Sequence, residues 1–432
     1  MIKTFEQAVQ FLTELQHFGI KMGLEQTRRL AELCGNPDHS LRFIHLAGTN
    51  GKGSTGAMLE RCLRESGFTT GFYSSPHLLT PCERIRINGR AVSEEEFAEA
   101  AEIVSRAAGV MQRKSAMPTY FEAMTVMAML LFKKHDCSYV VWETGMGGRL
   151  DSTNIVTPQI SVITNIALDH EKFLGSTLAA IAGEKAGIIK AHVPVVAGSM
   201  APEADAVLAR RAAELSAPYI RAGEICPVTT NEVPEMRLNH QQFYCAGELI
   251  ELQLNGLMQQ RNTQVVIAVL KTLGLWSDTC RKALRNTRWP GRIQVLNEGR
   301  FILDGGHNPD GLQSLAETLK VLYPQRRFRW IFGAFADKDF SGGLQIIAPL
   351  VQEIHAVAFA EDARLSATPE AIAETAGKLN IKNVYPVQDL PALLKKIAGE
   401  KIPEVPVIIA GSLYLAGEVL EVLAAGNEVL EL

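Results

Sequence analysis

Apolar runs of strand length recur through the first half of the chain, at LRFIHLAG (41–48), TTGFYSS (69–75), SYVVWET (138–144), QISVITN (159–165) and VPVVAG (193–198). Between them EEEFAEAAEIVSRAAG (94–109), YFEAMTVMAMLLFKKH (120–135) and STLAAIAGEKAGIIK (176–190) repeat their apolar positions at helical spacing. Apolar strands alternating with helices predict a largely parallel sheet covered by those helices. From about 220 to 255 the pattern shortens to alternating runs with turn residues, then a helix is expected over 259–273, and Trp289-Pro290-Gly291 reads as a linker. Beyond it FILDGG, FRWIFGAF, IHAVAFA, NVYPV and VPVIIAG restart the strand and helix rhythm. The fold expected is α/β: a mostly parallel sheet domain over 1–290, then a smaller doubly wound, Rossmann-like domain over 291–432.

A length of 432 residues agrees with two domains or more. Lys plus Arg number 43 against 47 Asp plus Glu, a formal charge of -4, which gives no electrostatic case for nucleic acid or an anionic membrane as partner. A small-molecule substrate fits better. The seven cysteines include no C-x-x-C pair, which suits a reducing compartment without structural zinc. The N-terminus lacks an apolar signal core, and no stretch approaches 18 apolar residues. The expectation is a soluble, cytoplasmic protein, monomeric by default.

HLAGTNGKGST (45–55) breaks a strand into a glycine loop with one lysine, ahead of a helix expected over 54–66. Glycines let the backbone approach phosphate, and the free N–H groups of the helix favour an anion. The common P-loop signature puts a hydroxyl directly after the lysine; here Gly53 intervenes before Ser54, so the loop is a variant. A tight strand-to-helix turn is the plain reading, but it needs neither the lysine nor three glycines.

Three strand ends carry candidate ligands: Ser74 and Ser75, Glu143 in VVWETGMGGRLD, and Asp169 with His170 in ITNIALDH. A carboxylate there suits magnesium, whereas a strand-end Glu that caps the next segment is the plain alternative. Lys185 sits in an otherwise apolar helix, where an unpaired ammonium is expensive. An ion pair with Glu184 or Glu143 would neutralise it, and so would a covalent change at its amine. LDGGHNPDG (303–311) places Asp304 and His307 in a crevice position before a helix that opens near Pro309, and GSLYLAG (411–417) follows the last strand in the same way.

GLEQTRRLAELCGNP, IHLAGTNGKGS, SSPHL with ERIRING, ETGMGGRLDSTN, ITNIALDH, EKAGIIK, QQRN, WPGR, LDGGHNPDG and GSLYLAG together resemble the folylpolyglutamate synthase and dihydrofolate synthase family, a branch of the Mur ligases. The likeness spans essentially the whole chain. It implies an ATP-dependent ligase that adds L-glutamate to dihydropteroate, to (tetrahydro)folates or to both. The P-loop would be Gly48, Thr49, Asn50, Gly51, Lys52, Gly53 and Ser54, with Asn262, Arg292 and Asp304 as further ATP contacts. Two magnesium sites are implied, one at Ser75 and Glu143, the other at Glu143, His170 and a carbamylated Lys185. Lys52, His170 and Lys185 would form the catalytic group, with His170 orienting metal. Glutamate is expected near His307, Ser412 and Tyr414, and the pterin near Thr119, Phe121 and Asp151. Thr144, Met146, Ser152 and Gly306 depart from residues common in the family, without touching an implied ligand.

Two rivals share parts of this pattern. A P-loop ATPase or switch needs no second domain bearing Asp304 and His307. A cell-wall Mur ligase usually carries a UDP-binding domain ahead of its P-loop, for which a loop beginning at residue 48 leaves no room.

Overall fold

The computed structural model describes residues 1–16, 23–113, 117–229, 236–360 and 365–423. They form two compact units: one of 1–227 with 262–284, the other of 228–261 with 285–432.

The first unit is built on an eight-stranded sheet. Its strands are β1 (Phe43–Ala47), β2 (Thr70–Tyr73), β3 (Ile85–Ile87), β4 (Arg90–Ala91), β5 (Tyr139–Glu143), β6 (Ile160–Ile163), β7 (Val195–Ala197) and β8 (Tyr219–Arg221), in the order β4-β3-β2-β5-β1-β6-β7-β8. From β2 to β8 all pairings are parallel, and β3 and β4 add an antiparallel edge at ERIRING. Every residue of β1 is buried, as a strand covered on both faces requires. One core gathers Phe43, Tyr73 and Trp142 beneath the helices Phe5–Gln16, Glu94–Gln112 and Tyr120–Lys134; another packs Ile163 and Val195 under Leu178–Lys185 and Pro202–Glu214. The helix Tyr120–Lys134 is buried nearly all round, which its run of Met, Val, Ala and Leu allows. Thr119 and Glu122 start it with reciprocal side-chain to backbone bonds, a capping box.

The second unit has two sheets. The small one joins β9 (Val228–Thr229), β10 (Met236–Arg237), β11 (His240–Cys245) and β12 (Glu248–Leu252) in antiparallel pairs. The larger joins β13 (Gln294–Leu296), β14 (Phe301–Leu303), β15 (Phe328–Phe332), β16 (Val351–Val357), β17 (Val384–Val387) and β18 (Val407–Ala410) in the order β13-β14-β18-β15-β16-β17. Only β13 is antiparallel to its neighbour, so the expected doubly wound sheet is present.

The compact units differ from the expected division at 290/291. Residues 228–261 group with the second unit because Asn255 donates to the Ile293 carbonyl at 2.8 Å, the Leu257 N–H reaches the Thr318 hydroxyl at 3.2 Å, and Leu238 and Met258 pack on its core. WPGR likewise lies within this unit and is hydrogen-bonded there, so it is more than a linker: the Gly305 N–H donates to the Gly291 carbonyl at 2.8 Å.

Candidate active site

The carboxyl ends of β2, β5, β1 and β6 lie side by side, at the position where open parallel sheets bind ligands. They bring together the Ser75 loop, Glu143, the glycine loop and the Asp169-His170 loop. The glycine loop runs from Gly48 to Gly51, which adopts φ 86° and caps the helix Lys52–Glu65. A Cβ on Gly51 would come within 2.5 Å of Asn262 Oδ1, so Asn262 stands directly against the loop. Ser54 is buried in the first turn of the helix.

Two amines meet at one carbonyl here. Lys52 Nζ donates to the Gly48 carbonyl at 3.0 Å, and Lys185 Nζ donates to the same oxygen at 2.9 Å. Lys52 also lies 4.0 Å from Glu143 Oε1. Burial, then the charge of Lys52, pulls the Lys185 amine down to about 7, against opposing pulls from Asp169 and Asp151. Of the two neutralising partners weighed for Lys185, Glu184 is taken by Arg149 at 2.8 Å. His170 opens the short helix Glu171–Leu174 with φ 51°, and its N–H donates to Asp169 Oδ1 at 2.8 Å. The groups at this loop therefore include two amines, which suit phosphate, and the Glu143 carboxylate, which suits a cation beside it. Among the described residues no three His, Cys, Asp or Glu side chains cluster as a metal centre.

Next to β5, Asp151 is buried and accepts from the Met146 N–H at 2.8 Å and the Thr153 N–H at 3.0 Å. Burial pushes its carboxyl above the usual range, with those hydrogen bonds opposing. Its Oδ1 also takes the Thr153 hydroxyl proton, so His45 must donate from Nε2 to Thr153 Oγ1, at 3.0 Å. Full burial then holds His45 neutral, down to about 3. Phe121 lies against Gly145, where a Cβ would sit 2.5 Å from the ring, and its ring centroid is 5.9 Å from that of Tyr73. Thr119 uses its hydroxyl in the capping box described above.

His77 of SSPHL and Glu83 and Arg84 of ERIRING carry no role in the sequence pattern. In the structure Arg84 Nε donates to His77 Nδ1 at 2.8 Å, and Glu83 accepts the N–H groups of Leu78, Leu79 and Thr80. The loop that carries Ser75 is thus fastened by the short turn Pro81–Arg84 that leads into β3. Burial, then Arg84, lowers His77 to about 3. A run of backbone donors converging on one glutamate has no periodicity to betray it.

In the second unit the loops after the adjacent strands β14 and β18 form a comparable face. Asp304 is buried, its Oδ2 accepting the Ile293 N–H at 3.0 Å and its Oδ1 the Gly306 N–H at 2.8 Å. Burial raises its carboxyl, and Arg292 pulls the other way. Asp304, expected as an ATP contact, here ties the backbone at Ile293 to the turn at Gly306. The Gly411 N–H donates to the Gly306 carbonyl at 3.1 Å and brings Ser412 beside that loop. Ser412 Oγ accepts the Tyr414 N–H at 3.1 Å, the Tyr414 ring packs edge-on to Phe335 with centroids 5.3 Å apart, and His307 Nδ1 lies 3.2 Å from the Gly305 carbonyl.

Residues 46–270 match the Mur ligase middle domain, and residues 291–413 match the glutamate ligase domain of Mur ligases. The dihydrofolate synthase/folylpolyglutamate synthase of Bacillus subtilis is 33% identical over 97% of this chain and 99% of its own length. The folylpolyglutamate synthase of Lacticaseibacillus casei is 34% identical over 92% of this chain and 94% of its own. Among solved structures, folylpolyglutamate synthase from Thermotoga maritima superposes with a TM-score of 0.83 at 32% identity, over 97% of each chain. An Escherichia coli relative solved in complex with DHPP and ADP gives 0.84 at 30% identity, over 97% of this chain and 98% of that one. By sequence along nearly its whole length and by fold, the chain belongs to the folylpolyglutamate synthase/dihydrofolate synthase family of Mur ligases.

Proposed function

We propose that this chain is an ATP-dependent ligase that joins L-glutamate to dihydropteroate and to (tetrahydro)folates, working in the cytoplasm as a monomer. The observation that carries the reading is the convergence of Lys52, Lys185 and Glu143 on the glycine loop at adjacent strand ends. Family membership supplies the reaction class. A carboxylate is a poor electrophile, so ATP must activate it: the carboxylate oxygen attacks the γ-phosphorus, ADP leaves, and an acyl phosphate results. The glutamate amine then attacks the acyl carbon, phosphate leaves, and the amine loses a proton to give the amide.

Each residue is assigned by what surrounds it. Lys52 swings from the Gly48 carbonyl to the terminal phosphates and offsets charge on the transferred group, while the loop amides and the start of the helix Lys52–Glu65 hold the rest of the phosphate chain. Asn262 stands where it can meet the nucleotide beside Gly51. Arg292, set by Asp304, offers its guanidinium to the nucleotide. His307, Ser412 and Tyr414 take glutamate, and Phe121 and Asp151 with Thr119 take the pterin.

The residues present fit magnesium. A buried carboxylate at a strand end, nearby hydroxyls and phosphate oxygens suit a hard cation that keeps part of its water shell. Ser75 and Glu143 would hold one ion and Glu143, His170 and carbamylated Lys185 the second; bound there, the ions neutralise charge developing on the phosphoryl oxygens. Lys185 fits the carbamate because a buried amine beside a second cation is relieved by becoming an anion.

The test is ADP release by purified protein with ATP and magnesium, comparing dihydropteroate with tetrahydrofolate, each with and without glutamate. Turnover that requires both acceptor and glutamate, with either acceptor, is expected. Release indifferent to both would return the ATPase reading to first place.

A further inference from the structure

The loop after β6 does more than carry Asp169 and His170. The Thr164 hydroxyl donates to the Asn50 carbonyl at 2.6 Å, and Asn165 Oδ1 accepts the Asn50 N–H at 2.7 Å. The Asn165 carbonyl accepts the Thr49 N–H at 3.1 Å. Thr49 answers with its own side chain: its hydroxyl donates to the Ala167 carbonyl and accepts the Ala167 N–H, both at 3.0 Å. Five hydrogen bonds thus join two residues of the glycine loop to residues 164–167. The fit is steric as well, since a Cβ on Gly48 would fall on the Thr164 hydroxyl. Thr164 is itself fixed, its N–H bonded to the Ala47 carbonyl at 2.9 Å and its backbone packed where a Cβ on Gly198 would go.

A glycine loop without such ties samples many backbone states, and each must be frozen before its N–H groups can face phosphate. We infer that Thr164 and Asn165 are positioning residues for nucleotide binding: they hold Thr49 and Asn50 in the phosphate-gripping conformation from the neighbouring strand end. Neither touches the reacting atoms. The division of labour explains why a threonine and an asparagine precede the Asp169-His170 pair: the same loop sets the nucleotide grip and presents those two side chains, so nucleotide and His170 share one rigid frame. The inference rests on the nucleotide-binding part of the proposed function.

The experiment compares Thr164→Val, Thr164→Ser and Asn165→Ala with wild type. The first removes the hydroxyl at nearly constant shape, the second restores it, and the third removes the acceptor for the Asn50 N–H. Affinity is read by equilibrium titration with a fluorescent ADP analogue, which needs neither acceptor nor glutamate and so reports even if ligation fails. Steady-state KM values for ATP and glutamate, with melting temperature, complete the set. Expected are an about tenfold weaker nucleotide affinity and a matching rise in KM for ATP in Thr164→Val and Asn165→Ala, the loss of one buried hydrogen bond. KM for glutamate stays unchanged, and Thr164→Ser stays within about twofold of wild type. Unchanged nucleotide affinity in folded Thr164→Val and Asn165→Ala would overturn the inference, and so would equal rises in every KM. If Thr164→Val does not fold, Asn165→Ala decides by the same criteria. Failure of wild-type ligation with the affinity pattern intact would refute the ligase reading and leave this inference standing.

Discussion

The two units each present loops at the carboxyl ends of a parallel sheet, yet they stiffen those loops by different means. In the first unit, charged side chains reach the glycine loop itself: Lys52 and Lys185 share the Gly48 carbonyl, and Glu143 lies beside them. In the second, Asp304 accepts two backbone N–H groups, and Arg292 and His307 lie half-buried on its loops. One face gathers two amines and a carboxylate at its glycine loop; the other uses its buried carboxylate to hold the shape of its loop. The same topological rule therefore locates both faces, and the chemistry of each depends on which side chains its loops carry.

The comparison breaks first at the lysines. Lys52→Ala is expected to lower kcat by at least about 10²-fold, the weight of one group stabilising charge in a transition state, with the circular dichroism spectrum unchanged. Lys185→Ala should match it, and a short carboxylic acid should restore part of the ligation measured by ADP release; full activity without the acid would remove the carbamate from the account. In the second unit the largest effect should fall on stability. Asp304→Ala strands two buried N–H groups and is expected to cost about 2–4 kcal/mol in urea unfolding, with Asp304→Asn, which keeps one acceptor, near half of that.

Acid offers a sharper contrast. His45 and His77, both in the first unit, are held neutral, down to about 3 against an ordinary 6.5. A depressed histidine favours the unfolded chain once that chain can protonate, so its contribution is whole above pH 6.5 and is lost as pH falls toward 3. Melting temperature should therefore decline between those limits, and His45→Gln, which keeps a donor for Thr153, should flatten the slope. The smallest expected change is at Gly145, where an added methyl must move the Phe121 ring. Gly145→Ala should raise KM for the pterin-bearing acceptor about fivefold, roughly 1 kcal/mol, with KM for ATP unaltered.

Much of this was legible in the sequence because strands buried on both faces are written as apolar runs: FIHLA, YVVWE and ISVI each became a strand of the central sheet. Gly51 announced the loop, since a left-handed turn against Asn262 admits little else. The edge strands Ile85–Ile87 and Arg90–Ala91 were missed because they are only three and two residues long, and the placement of 228–261 because tertiary hydrogen bonds such as Asn255 to Ile293 leave no periodic trace. The grip of Thr164 and Asn165 on Thr49 and Asn50 spans more than a hundred residues of chain, so nothing in the local pattern of either segment could announce it. No helix among the described residues is long and apolar enough to cross a membrane.

The central claim, that the first face makes an activated acyl group and the second admits the amine, is tested most directly by trapping. With hydroxylamine in place of glutamate, hydroxamate and ADP should form in equal amounts, at similar rates in wild type and His307→Ala, and Lys52→Ala should form neither. Loss of hydroxamate in folded His307→Ala as complete as in Lys52→Ala, or ADP release by wild type with no hydroxamate, would contradict the account.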